Sequence, residues 1–144
     1  MNKNLIRSLD LFNRPWSISR AGLKSVQDAF TTATEKLGLT QSGFMDELTE
    51  MCEAPELEIT GDGIAMIEVN GQLCNRPGLL EMLCGMYPYE WLEDLLEDAM
   101  EANVRGIMLE LDSPGGVCEG MIECGDLIAE IARSSGFDHC SPLV

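Results

Sequence analysis

The stretch that most constrains the fold runs from residue 106 to residue 131, where an apolar segment, a glycine-rich turn and an amphipathic segment follow one another. The apolar segment, Ile107 to Leu111, has the length and the boundaries of a buried strand. The next five residues read D-S-P-G-G, which is turn chemistry. After them, apolar residues recur at helical spacing with acidic residues between them. The sequence therefore predicts a strand, a tight turn and a helix in that order.

The two adjacent glycines of this turn, Gly115 and Gly116, allow the backbone to approach a ligand closely, because neither carries a Cβ. At the start of a helix their N–H groups would point outward, toward negative charge. Such a pair of donors suits an oxyanion hole. We expect Asp112, Ser113 and Pro114 to support the turn. The alternative is a tight strand-to-helix connection that binds nothing, and it would use the same residues.

The charge balance limits the classes of partner. The 144 residues carry 9 basic and 25 acidic side chains, a formal net charge of −16. A surface of this kind repels nucleic acid and anionic membranes, so we expect neither as a partner. The first residues lack the apolar core of a secretory signal, and no run has the 18 or so apolar residues of a membrane span. The charge either keeps the protein soluble or fits a specific basic partner.

The six cysteines predict free thiols in a core more readily than disulfides, because they show no compact spacing. Cys118 and Cys124 are six residues apart, which fits neither a redox pair nor a zinc knuckle. His139 is the single histidine of the sequence. We therefore predict no metal site and no cofactor.

The first third of the chain reads as helical. Residues 1–18 show no sustained period and are predicted to be irregular. Residues 20–37 have an amphipathic pattern, and Gly38 is expected to end that helix. A second short helix is expected after Ser42. These helices either cover the core or serve as a dock for oligomerisation.

The remaining elements alternate between strand and helix. Residues 57–69 resemble a hairpin around a Gly-Asp-Gly turn. Residues 71–88 read as irregular, with one helical turn at Leu79 to Leu83. A strong amphipathic helix covers 88–103, and its acidic residues are expected to face water. The order strand, helix, strand, helix predicts an α/β fold with a parallel sheet.

Three segments carry a resemblance to a known family. They are Arg14-Pro15-Trp16, the stretch Ile64 to Gly71, and Tyr89 through Gly136 with its L-D-S-P-G-G turn. The turn after a strand is similar to the oxyanion turn of the Clp protease/crotonase superfamily. The wider stretch resembles the signal peptide peptidase A-like serine peptidases, in their short phage head-maturation form, the minor capsid protein C-like peptidases.

The resemblance implies a fold and a division of the chain. Residues 53–136 would form the front part of a Clp/crotonase-like peptidase domain, with β-α-β-α order and parallel strands. Residues 1–52 would be a helical preface, and 137–144 a divergent tail. Gly115 and Gly116 would supply the oxyanion donors.

The same resemblance implies catalytic residues that this sequence does not contain. The family uses a serine nucleophile and a lysine base, both downstream of the turn. The lysines here are Lys3, Lys24 and Lys36, and all of them precede it. Ser113 is read as a turn former because a proline follows it. The adjacent His139, Cys140 and Ser141 are not expected to converge on one reacting atom. We therefore name no catalytic residue, and whether the chain is an enzyme stays open.

The final residues, from Phe137 to Val144, depart from the family pattern, and we read the chain as a truncated or frameshifted form. The strand at 107–111 would then lack its next neighbour in the sheet. An apolar unpaired edge promotes association. We expect the chain to form a homo-oligomer or to pair with a complementing C-terminal half.

Two functional hypotheses from different classes follow. The first is an N-terminal fragment of a phage or prophage serine endopeptidase that processes capsid or scaffold protein, inactive alone, in the host cytoplasm or the prohead. The second is a non-catalytic acidic assembly or binding protein that keeps the half-domain. A crotonase-type acyl-CoA enzyme would share the turn, but an acidic surface suits the CoA phosphates poorly.

Overall fold

The computed structural model describes residues 13–39 and 54–134, and within these ranges the chain forms seven strands and four helices. The elements in chain order are β1 Trp16–Ile18, α1 Arg20–Leu39, β2 Glu58–Ile59, β3 Ile64–Asn70, β4 Leu73–Cys74, α2 Leu79–Leu83, β5 Tyr87–Pro88, α3 Tyr89–Glu101, β6 Gly106–Asp112, β7 Gly115–Val117 and α4 Met121–Ser134.

The first sheet has three strands in the order β2-β3-β6. The strands β2 and β3 form the expected antiparallel hairpin, with Ile64 N–H donating to the Thr60 hydroxyl at its turn. The strands β3 and β6 are parallel over seven residue pairs, and α3 lies between them in the chain. The predicted α/β fold with parallel strands is confirmed.

The second sheet has four short strands in the order β1-β7-β4-β5. Strand β7 runs antiparallel to β1 and parallel to β4. The prediction of irregular structure was wrong for residues 16–18, 73–74 and 87–88, which are strands. Strands of two or three residues are too short to show a period of two, and they form here because a partner from elsewhere in the chain lies alongside.

The main core lies between the first sheet and the helices α3 and α4. Alternate residues of β3 (Ala65, Ile67 and Val69) are buried on one face, as the period of a strand requires. The helix α3 adds a buried stripe made of Leu92, Leu95, Leu96, Tyr89 and Ala99. Its acidic residues face outward, apart from Glu93, which is half-buried.

A second, sulfur-rich cluster lies under the four-stranded sheet. Its buried members are Cys74, Met82, Cys84, Met86 and Val117. Trp16 of β1 and Phe30 of α1 pack against this cluster. The helix α1 therefore covers a core, which is one of the two roles expected for it.

The helix boundaries follow local chemistry in one case and not in another. The helix α3 begins at Tyr89 because Pro88, with φ −70° and ψ 139°, is extended and has no N–H to place in a helix. The helix α1, by contrast, continues through Gly38 to Leu39, so the predicted stop was wrong. The second helix expected after Ser42 lies outside the described residues. None of the described helices combines the length and the hydropathy that crossing a membrane requires.

Candidate oxyanion-binding turn

The turn between β6 and β7 is built from hydrogen bonds that its own residues supply. Asp112 ends β6, and its carbonyl accepts the Gly71 N–H at 2.9 Å. The Ser113 hydroxyl accepts the Gly115 N–H at 3.2 Å and lies 3.3 Å from the Gly115 carbonyl, to which it donates. The Pro114 carbonyl accepts the Ser19 N–H at 2.9 Å. These three residues therefore hold the turn through their own contacts.

The two glycines lie in a strand and not at the start of a helix, which corrects the sequence prediction. Gly115 and Gly116 are the first two residues of β7, and α4 begins at Met121. Three residues separate β7 from the helix, and within them Cys118 accepts the Met121 N–H. The helix N-terminus therefore does not aim these two amides. The extra strand was missed because G-G-V is too short and too glycine-rich to read as one.

Both glycines are required by the close packing of neighbouring strands. Gly115 has a φ of +109°, a conformation that favours glycine, and a Cβ there would overlap the Ser17 carbonyl oxygen. A Cβ on Gly116 would overlap the Leu73 carbonyl oxygen on the other side. The close packing therefore explains both glycines even if the turn binds no ligand, as the alternative hypothesis of a tight connection proposes.

The N–H groups of Gly115 and Gly116 have different hydrogen-bond partners. Pro15 and Cys118 form a hydrogen-bonded pair in the β1–β7 ladder, as do Ser19 and Pro114. Hydrogen-bonded and non-bonded pairs alternate along an antiparallel ladder, so Ser17 and Gly116, midway between these two, are also a hydrogen-bonded pair. The Gly116 N–H therefore faces the Ser17 carbonyl. The Gly115 N–H donates instead to the Ser113 hydroxyl, and a change of the serine rotamer would break this bond.

Strand β1 is fastened at both ends, which fixes the residues opposite the glycines. At one end Arg14 forms an ion pair with Glu119 at 3.2 Å. At the other, the first turn of α1 packs on the Pro114 ring so closely that a Cβ on Gly22 would lie 2.6 Å from it. The turn is therefore buttressed by a segment about 100 residues earlier in the chain.

Tyr89, on α3, anchors β7, a role that its place in the sequence does not indicate. Its hydroxyl donates to the Val117 carbonyl at 3.2 Å in a buried position. Burial, with smaller contributions from the thiols of Cys124, Cys118 and Cys74, raises the pKa of Tyr89 to about 12. The phenol therefore keeps its proton, and its donor role, at neutral pH. Its only sequence signal is an aromatic residue directly after a proline at the start of a helix.

The described cysteines are free thiols, as predicted, and three of them are buried. Burial, together with Glu81, raises the pKa of Cys74 to about 12, against a smaller opposing effect of Arg14. Burial likewise raises the pKa of Cys84 and that of Cys124 to about 11, with added contributions from Glu81 and Glu93 respectively. These three thiols are protonated at neutral pH, so they lack the thiolate that a nucleophile needs.

The described residues contain no cluster of three or more histidine, cysteine, aspartate or glutamate side chains able to hold a metal ion. Ser113, the one serine of the turn, uses its hydroxyl within the turn itself. His139, Cys140 and Ser141 lie outside the described residues. Among the described residues, the turn therefore presents backbone N–H groups, and its one serine hydroxyl is used within the turn.

Comparison with known proteins finds two phage relatives. The chain is 40% identical over 73 residues to the head-tail preconnector protein GP5 of Enterobacteria phage P21, an alignment covering 50% of this chain and 15% of the relative. It is 29% identical over 135 residues to the capsid assembly protease C of Escherichia phage lambda, covering 83% of this chain and 31% of the relative. The chain thus spans less than a third of either relative's length. No protein-family profile matches it, and no solved structure does.

Proposed function

We propose that this chain is the front part of a phage capsid-processing serine peptidase of the Clp/crotonase-like, signal peptide peptidase A-like type, and that these 144 residues do not cleave peptides by themselves. The observation that carries the proposal is the similarity to the capsid assembly protease of phage lambda over 83% of the chain. The strand–turn–strand unit with two adjacent glycines agrees with it.

The contribution of this chain to the reaction would be the oxyanion donor. When a peptide carbonyl is attacked, its oxygen becomes negatively charged, and a backbone N–H placed in advance stabilises that charge. Gly115 is the better placed of the two amides, because its N–H donates to the Ser113 hydroxyl, which a change of the serine rotamer would move away. Gly116 would become available if β1 moved away from β7 and took the Ser17 carbonyl with it.

The nucleophile and the base would come from residues beyond these 144. No lysine follows the turn, and the described thiols are either buried and protonated or, in the case of Cys118, half-buried. A serine–lysine dyad needs a lysine within hydrogen-bond reach of the serine. Residues 53–136 would then be the partial peptidase domain, residues 1–52 its preface and 137–144 a divergent tail. The site would act in the host cytoplasm or the prohead, on capsid or scaffold protein.

The alternative is a non-catalytic acidic assembly protein that binds a capsid component. The net charge of −16 and the similarity to a head-tail preconnector protein favour it. A folded chain with no protease activity in any context, but with salt-sensitive affinity for a basic capsid segment, is the result that this alternative predicts.

The test is a chimera in which this chain replaces the matching region of the phage lambda capsid assembly protease. We expect the chimera to process the lambda capsid substrate, whereas the remainder of the lambda protein without this region does not. A folded chimera that never cleaves would contradict the peptidase assignment.

A second measurement addresses the chain alone. A fluorophosphonate probe reacts with activated serines, and we expect no labelling of the 144-residue chain at neutral pH. Labelling of this chain, mapped by mass spectrometry to any of its serines, would overturn the proposal that its nucleophile lies elsewhere.

A further inference from the structure

The carbonyl oxygen of Ser17, in β1, lies beside both glycines of the candidate oxyanion-binding turn. The Gly116 N–H faces this oxygen across the β1–β7 ladder. The same oxygen lies so close to Gly115 that a Cβ there would overlap it. An oxygen of the chain itself therefore occupies the place that a substrate oxygen would need if Gly116 is to donate to it.

Both glycine amides already have acceptors in this arrangement. The Gly115 N–H donates to the Ser113 hydroxyl at 3.2 Å, and Gly116 is buried. A change of the serine rotamer frees the first amide, whereas the second is freed only when β1 moves. The loss of one oxyanion donor slows catalysis by about 10²–10³-fold. The position of β1 should therefore have a large effect on the activity of the site.

The end of β1 that leads into α1 is built as a fixed point. The Ser19 N–H donates to the Pro114 carbonyl at 2.9 Å, and the Ser19 hydroxyl accepts the Gly22 N–H at 3.1 Å. The Ser19 carbonyl accepts the Leu23 N–H at 2.9 Å, so Ser19 is the N-cap of α1. Ser19 thus joins the turn and the helix, and it is the natural hinge of β1.

The other end of β1 is held in part by groups that reach solvent. The ion pair between Arg14 and Glu119 measures 3.2 Å, and the two side chains are 33% and 54% exposed. Ion pairs of this kind contribute little stability. Beside it, the Cys118 N–H donates to the Pro15 carbonyl at 2.9 Å. This end can therefore separate from β7 at a lower cost than the end at Ser19.

We propose that β1 is an autoinhibitory strap, which blocks the oxyanion site by keeping the Ser17 carbonyl on the Gly116 N–H. The site becomes active when the Arg14 end of the strap moves away from β7 about the hinge at Ser19. The carbonyl oxygen of the peptide to be cleaved then takes the place of the Ser17 oxygen. This role rests on the proposed peptidase function.

A strand that only braces the turn would behave in the opposite way. If β1 were a brace, loosening it would leave the two glycines less well held and would slow the reaction. If β1 is a strap, loosening it speeds the reaction, and fixing it in place stops the reaction. The sign of the change in rate therefore separates the two roles.

The chain offers a reversible way to fix the strap. Pro15 lies opposite Cys118 in a hydrogen-bonded pair, and the Cα atoms of such a pair are about 5.5 Å apart. This separation suits a disulfide, and Cys118 is a free thiol that is only half-buried. Pro15→Cys followed by oxidation with oxidised glutathione would lock β1 onto β7, and dithiothreitol would release it. The carbonyl of residue 15 remains to accept the Cys118 N–H.

The first experiment measures cleavage of the lambda capsid substrate by the chimera with Pro15→Cys. The locked form should cleave about tenfold more slowly, or slower still, than the same protein after reduction, because Gly116 cannot donate in it. The matched control is a chimera with Glu58→Cys and Met66→Cys, a cross-strand pair of the β2–β3 hairpin. Oxidation of that pair should leave the rate unchanged. Equal rates in the locked and reduced strap would overturn the proposal.

The second experiment loosens the strap. Glu119→Lys places a positive charge beside Arg14 and should raise the rate of the chimera by about 1.5- to 5-fold, the range expected from the loss of a surface ion pair. Glu130→Lys makes the same charge change at an exposed position of α4 and should not raise it. A slower Glu119→Lys chimera would identify β1 as a brace. An equal gain from Glu130→Lys would also contradict the strap.

Amide hydrogen exchange follows the strap in the 144-residue chain without any cleavage assay. With labelled glycine, the Gly116 N–H should exchange more slowly in oxidised Pro15→Cys and faster in Glu119→Lys than in the parent. The Gly71 N–H, which donates to the Asp112 carbonyl, should exchange equally in all three. A Gly116 amide whose exchange neither change alters would overturn the proposal.

The outcomes distinguish the strap from the peptidase assignment. A chimera that cleaves equally fast when locked and when reduced leaves the peptidase proposal in place and removes the strap. A chimera that cleaves in no form, with Glu119→Lys included, removes the peptidase assignment and the inhibitory role of β1 with it.

Discussion

Two tyrosines on either side of Pro88 make a matched test of how β7 is held. Tyr89 donates its buried hydroxyl to the Val117 carbonyl at 3.2 Å, whereas the buried hydroxyl of Tyr87 has no hydrogen-bond partner among the described residues. Phenylalanine differs from tyrosine by this one oxygen. The Tyr89→Phe change therefore removes a bond, and the Tyr87→Phe change removes an unsatisfied polar group.

The expected magnitudes follow from burial. A typical net hydrogen bond contributes about 0.5–1.5 kcal/mol, and a buried carbonyl left unpaired adds to the loss, so Tyr89→Phe should cost about 1–2 kcal/mol. For a chain of this size that lowers the melting temperature by about 2–6 °C. Tyr87→Phe should be neutral or stabilising, because an unpaired hydroxyl is costly to bury. Tyr87 still packs edge-on against Trp91, with ring centroids 5.8 Å apart, and phenylalanine keeps that contact.

The assay is urea unfolding at neutral pH. A Tyr89→Phe variant within about 0.5 kcal/mol of the parent, the range of inconsequential surface changes, would refute the reasoning. So would a Tyr87→Phe variant that loses as much stability as Tyr89→Phe. An alkaline titration adds a check: the pKa of Tyr89 is raised from 10.0 to about 12, so stability is full below pH 10 and falls as the pH rises toward 12. The Tyr89→Phe variant should lose less stability than the parent between pH 10 and 12, because it lacks this ionisable group.

Three further predictions concern the rest of the molecule. Gly125→Ala in α4, where an added Cβ meets no atom within 4 Å, should stabilise the chain by about 0.5–1 kcal/mol in urea unfolding; a loss of stability would show that the site is more crowded than described. Burial and then the acids Asp94, Glu90, Glu97 and Glu123 raise the pKa of Glu93 above its reference value of 4.5. The folded state thus holds this proton more tightly than the unfolded state, and its stability falls as the pH rises above that value. Glu93→Gln should therefore stabilise the chain by about 0.5 kcal/mol at pH 7 and not below pH 4.5, whereas exposed Glu56→Gln should change little; an equal effect of both changes would contradict this. Finally, a thiol reagent at pH 7, with sites mapped by mass spectrometry, should modify Cys74, Cys84 and Cys124 only on unfolding, and rapid modification of any of them in the native chain would contradict their burial.

The long elements could be predicted from the sequence because each repeats a period over enough residues. Buried apolar residues recur in every turn of α3, and β6 is a mostly apolar run, interrupted by Glu110, between turn residues. The hairpin at 57–69 was marked by its Gly-Asp-Gly turn. The parallel pairing of β3 with β6 then followed from the helix between them.

The four-stranded sheet could not be predicted, since its strands are short and their partners are distant. Ser17 and Gly116 face each other across about 100 residues of chain. Nothing within three residues signals such a pairing, because it depends on where the two cores place the backbone. The prediction that a helix N-terminus orients the two glycine amides was wrong for the same reason. The strand β1, which faces the Gly116 N–H, is at the other end of the sequence.

The central claim is that the turn at Gly115 and Gly116 forms the oxyanion-binding part of a peptidase site completed by residues outside this chain. The most direct measurement is the amide proton shift of both glycines in the chimera, by NMR with labelled glycine, before and after reaction with a peptide phosphonate. A phosphonyl oxygen mimics the negatively charged oxygen of the reaction, so at least the Gly115 amide should shift strongly downfield while Gly61 stays unchanged. A chimera that reacts fully and leaves both glycine amides where they were would contradict the account.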